Sequence, residues 1–113
     1  MMKILITALG SYLTGDEIAD AVLEYAQALA DERATDVVDI PIAGDGGSMR
    51  LRMSVGWLVQ VHAMDAETEG SELTDPATST RLRERATRLT VHRMSPEPFE
   101  PLGLSDYDWL RYA

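Results

Sequence analysis

Arginine offers the most promising chemistry in this chain. Arg81, Arg85 and Arg88 recur at spacings of four and three, which on a helix places three guanidinium groups on one side, opposite a narrow apolar stripe of Leu82, Ala86 and Leu89. Arg50 and Arg52 stand two apart in an alternating run, so they share one face of a strand, and Gln60 and His62 extend that polar face. A guanidinium fork binds carboxylate or phosphate at two points at once. Where helix and strand meet, these residues would form an anion site for phosphate, carboxylate or an acidic protein surface. The competing reading pairs the same arginines with acids of this chain, among them Glu67, Glu69 and Glu72. Exposed pairs of that kind are worth about 0–1 kcal/mol each.

Other chemistries find less support. His62 and His92 are the two histidines, and neither lies in an HExxH or His-x-His pattern, so no metal ligand is assigned. Asp65 and Glu67 follow His62 closely, which leaves a His–carboxylate centre as the one enzymatic reading. No G-x-S-x-G elbow exists. Gly44, Gly46 and Gly47 precede an alternating run rather than a helix, so they make a hairpin and not a phosphate cradle, with Ser48 part of the same turn chemistry. No catalytic residue and no cofactor is implied.

Composition narrows the classes further. The chain has 113 residues, no cysteine and a formal net charge of −9. Thiol catalysis, disulfides and cysteinyl zinc sites are thereby excluded. The acidic balance disfavours nucleic acid and anionic membranes as partners. Asp16, Asp20 and Glu24 fall four apart, forming an acidic stripe on one side of a helix that a basic protein would match. The apolar run at residues 4–9 is too short to cross a bilayer and lacks the flanks of a signal peptide, so a cytoplasmic location is expected.

The elements that must position these residues follow from periodicity. Residues 2–9 read as a first strand and residues 10–15 as a turn-rich connection. A helix over 16–33 is marked by Ile18, Val22, Tyr25 and Leu29, with alanines widening the stripe. Residues 35–42 form a second strand, whose Pro41 suits an edge or a strand end. The Gly-rich stretch 43–48 then makes a hairpin with a long strand over residues 49–63. There, Met49, Leu51, Met53, Val55, Trp57, Val59, Val61 and Ala63 occupy every second position. At ~3.3 Å per residue that strand spans roughly 50 Å, and Gly56 is the place for it to bend. An acidic loop leads to a second helix, capped by Asp75 with Pro76 in its first turn. Residues 89–94 fit either the end of that helix or a short strand.

The order β-α-β-β-α plus a short C-terminal turn predicts an α+β two-layer sandwich. It would have a mainly antiparallel sheet of three strands, or slightly more, under two helices on one face. The first strand–helix–strand passage suits a right-handed crossover that makes its strands parallel neighbours or near-neighbours. Residues 1–95 are expected to form one domain. Residues 96–113, rich in proline and carrying Tyr107, Trp109 and Tyr112, are expected to dock as a tail. The leading functional expectation is a small acidic, non-enzymatic interaction or regulatory module. It would act through a free sheet face and the acidic helix, as a homodimer or on a basic protein. A small-ligand or anion-binding domain built on the arginines is the alternative.

Overall fold

A computed structural model describes residues 2–67 and 72–94 of the chain. Its elements are β1 (Met2–Thr7), β2 (Gly10–Gly15), α1 (Asp16–Asp31), β3 (Thr35–Gly44), β4 (Gly47–Gly56), β5 (Val61–Ala66) and α2 (Pro76–Met94). The fold is an α+β sandwich of antiparallel strands with packed helices, as the sequence predicts. The strands divide into two sheets, a three-stranded one in the order β2-β1-β5 and a two-stranded β3-β4 hairpin. Residues 96–113 lie outside the described residues.

Two local readings change. Residues 10–15 are a strand, β2, rather than a connection. Gly10 and Gly15 flank the β-compatible Tyr12, Leu13 and Thr14, and a two-residue turn at Ala8 and Leu9 folds β2 back onto β1. Thr7 fixes that turn: its Oγ1 accepts from the N–H groups of Leu9 and Gly10, both at 3.2 Å. The second change is larger. The alternating run 49–63 is not one strand but two, in different sheets. β4 ends at Gly56, where φ is +118°, and a tight turn follows in which the Val59 N–H donates to the Gly56 carbonyl at 3.1 Å. A Cβ at Gly56 would collide with the Ala34 carbonyl oxygen, so the close approach of this strand end to the chain after α1 requires glycine. The turn spans an even number of residues, so the alternation stays in phase and hides the reversal.

The predicted parallel pairing of the first strand with the strand after α1 does not occur among the described residues. β1 pairs with β2 and β5, both antiparallel, and β3 reaches the first sheet by another route. The buried Thr14 hydroxyl donates to the Pro41 carbonyl at 2.7 Å.

α1 buries Ile18, Val22, Tyr25 and Leu29 as its spacing requires, with Ala19, Ala21, Ala26 and Ala28. Its C-terminal end closes with paired backbone bonds. The Ala34 N–H donates to Leu29 O at 2.9 Å and the Arg33 N–H to Ala30 O at 3.0 Å, with Arg33 in the left-handed region at φ +55°. α2 begins as expected. Asp75 accepts from the Thr78 N–H at 3.3 Å and from the Thr78 hydroxyl at 2.8 Å. The helix continues through Met94, which assigns residues 89–94 to it. One core joins these elements. Leu5, Ile18, Val22, Val38, Ile40, Val55 and Leu82, from β1, α1, β3, β4 and α2, belong to a single buried cluster.

Candidate interaction surface

The predicted arginine site comes together only in part. Arg50, Arg81 and Arg85 line one pocket of about 300 Å³ with Asp39, Val37, Val38 and Leu82, where α2 meets the hairpin. Arg52 and Gln60 share a different groove, beside the β1–β2 turn. Arg88 lies farther along α2, beside Thr80 and Arg83. His62 stands exposed on β5.

Charge accounting shows what the first pocket can do. Arg50 Nε lies 2.9 Å from Asp39 and its Nη1 3.5 Å from Asp75, while Arg85 Nη1 lies 3.5 Å from Asp36. Three guanidinium groups therefore meet three carboxylates, and Arg81 alone of the three makes no ion pair with a described residue. The Tyr25 hydroxyl donates to Asp36 at 2.6 Å and, with the Val37 N–H and Arg85, holds the Asp36 carboxyl below its ordinary pKa. Burial, then the neighbouring carboxylate, pushes the Tyr25 hydroxyl up. The Thr78 hydroxyl does for Asp75 what Tyr25 does for Asp36, with Arg50 adding to it. The pocket is a neutral web joining strand to helix.

The acidic stripe of α1 is likewise engaged. Lys3 on β1 reaches Asp20 at 2.7 Å and Asp16 at 3.0 Å, and those two bonds, Asp20 first, hold its ammonium above its ordinary pKa. Arg83, which the sequence reading did not single out, bridges α2 to α1 through Glu17 at 2.6 Å and Glu24 at 3.2 Å. Arg83 lies off the Arg81–Arg85–Arg88 side of α2, and its acidic partners belong to a helix remote in sequence. No group of three or more potential metal ligands occurs among the described residues.

The unsatisfied surface is apolar. Strand pairing places directly opposed residues on one face. On β1, Lys3 and Leu5 face α1, as their contacts with Asp16, Asp20 and the core require. Ile4 and Ile6 therefore face outward. Opposite Ile4 stand Leu13 and Met64, and opposite Ile6 stand Ser11 and His62. Ile4, Ile6 and Leu13 are half-buried and Met64 is exposed, and none of the four belongs to the core cluster or to the shell packed on it. Beside the other sheet, Leu9 is 93% and Leu58 85% exposed at the tips of two turns. Trp57 is partly exposed under the Arg33 guanidinium, 5.6 Å from its ring centre.

No helix among the described residues is long and apolar enough to cross a membrane. No protein-family model matches the chain, and no curated protein or solved structure shows significant similarity to it.

Proposed function

We propose that the chain is a small acidic, non-enzymatic interaction module of the cytoplasm that works as a homodimer through the outer face of its three-stranded sheet. One observation carries the reading: Ile4, Ile6, Leu13 and Met64 form an apolar patch outside the core cluster, on a face that Leu73 overlies only at its Met2 end among the described residues, while the α1 stripe and the Arg50 and Arg85 guanidiniums are engaged in ion pairs. Apolar surface gathered on one face in this way marks association sites. A two-fold stack of two such faces buries the patch on both protomers.

Four side chains per protomer are few beside the roughly 20–30 residues a side of a standard interface, so self-association is expected to be weak, on the order of 10–100 µM. A net charge of −9 on each copy opposes it. Added salt should therefore tighten the dimer by screening that repulsion, whereas docking driven by ion pairs would loosen. Sedimentation velocity across a concentration series, at low and moderate salt, tests the reading. A mass that rises toward two copies, and that Met64→Lys returns to one, supports it. A monomer at several hundred micromolar in moderate salt rules it out.

A further inference from the structure

The groove beside β4 has properties the outer sheet face lacks. Residues 51–54 are consecutive, and all four line it, so the groove runs along an edge of β4 rather than over one of its faces. Among the described residues β4 is hydrogen-bonded only to β3, which leaves the backbone groups of its other edge without a strand partner. The opposite wall comes from the β1–β2 turn and Tyr12, and the turn after β4 closes one end. The space is about 390 Å³ and its lining is predominantly apolar.

Two features mark its rim. Leu58 holds φ at +64° in the turn after β4, a conformation glycine or asparagine adopts more easily, and it presents its side chain to solvent. Arg52 stands opposite Asp39 in the hairpin register, yet Asp39 gives its carboxylate to Arg50, and Arg52 makes no ion pair among the described residues. An open strand edge, an apolar floor and one unmatched cation are complementary to an extended peptide that carries a carboxylate.

We propose that this groove receives an extended segment of a partner protein, which adds as a strand to the open edge of β4, sets apolar side chains into the groove at alternate positions and places a carboxylate against Arg52. Backbone pairing supplies the affinity in such strand addition, and side chains at alternate positions supply the selectivity. The inference rests on reading the chain as an interaction module, but it uses a surface separate from the dimer face.

The test pans a random dodecapeptide library against the full-length protein, then measures synthetic copies of the enriched peptides by titration and by amide shifts in NMR. Enriched peptides should alternate apolar residues and carry an Asp or Glu, and they should shift the amides of residues 51–54. N-methylation of alternate peptide nitrogens should weaken binding by about tenfold or more, and Arg52→Glu should do the same to acidic peptides. Leu58→Gly should weaken binding while leaving the fold intact. Failure to enrich any sequence overturns the proposal, as do peptides indifferent to N-methylation and to Arg52→Glu. Stronger binding by a peptide copying residues 104–113 would make the chain's own segment the occupant and overturn the assignment to a partner. Sedimentation of the same samples separates the readings: a dimer without peptide binding removes the groove alone, and peptide binding by a monomer removes the dimer alone.

Discussion

The flank where α2 meets the hairpin and the outer face of the β2-β1-β5 sheet make opposite use of their residues. On the flank, charged side chains crowd together and satisfy one another, as Arg50 does with Asp39 and Asp75, and Arg85 with Asp36 and Tyr25. On the outer face, Ile4, Ile6, Leu13 and Met64 lie outside the core cluster and the shell packed on it. Two of the arginines most suggestive of chemistry in the sequence, Arg50 and Arg85, thus form structure, while residues that look like ordinary strand fillers stay outside the core. A cluster of arginines indicates a ligand only after the nearby acids have been subtracted.

Neighbouring residues on the two faces of β1 give the sharpest test of that contrast. Leu5→Ala should cost about 2–5 kcal/mol in urea unfolding, because Leu5 is wholly buried under α1. Ile6→Ser, one position on, should cost under about 1 kcal/mol yet reduce self-association. Equal losses of stability at both positions would mean that the outer face is covered. The strand break is tested by Gly56→Ala. Its methyl group would meet the Ala34 carbonyl oxygen at a φ of +118°, and the expected cost is about 1–3 kcal/mol by thermal melting.

Smaller effects probe the turn and the charged web. Leu58→Gly relieves a left-handed leucine and should raise stability by about 0.5–1 kcal/mol in the same melts, opposite in sign to its effect on peptide binding. The web predicts an acid dependence. Asp36 and Asp75 are held below their ordinary value of 3.8, so their folded forms favour the carboxylate. That contribution is present above the ordinary value and is lost as pH falls below it through the lowered one. Both groups are partly exposed, so each contributes well under about 1 kcal/mol. Urea midpoints between pH 2 and 6 should fall on acidification, and Asp36→Asn should flatten the fall.

Much of this was legible beforehand, for reasons that differ by element. The 3.6-residue stripe of α1 and the Asp75–Pro76 start of α2 are local signals, and both stand in the fold. The β3–β4 hairpin follows from the glycines between its strands. The division of residues 49–63 was hidden because a reversal that keeps the phase of a period of two leaves no mark on the pattern. Only the contact between Gly56 and the segment after α1, remote in sequence, decides it. Site reading failed in the same way for Arg83, since its partners Glu17 and Glu24 lie on another helix and a one-dimensional charge count cannot bring them together.

The register of the three-stranded sheet has a consequence for how the chain is made. Met2 lies opposite Gly15 on one side and opposite Ala66 on the other. On the ribosome the first hairpin can zip at once, while the second flank of the central strand must wait until β5 has emerged. During that interval an oily ribbon edge is open to any passing strand, and such delayed long-range pairing is where nascent chains are most prone to stick together. Slowing translation before β5 should therefore lower the soluble yield of this protein more than the same pause placed after it.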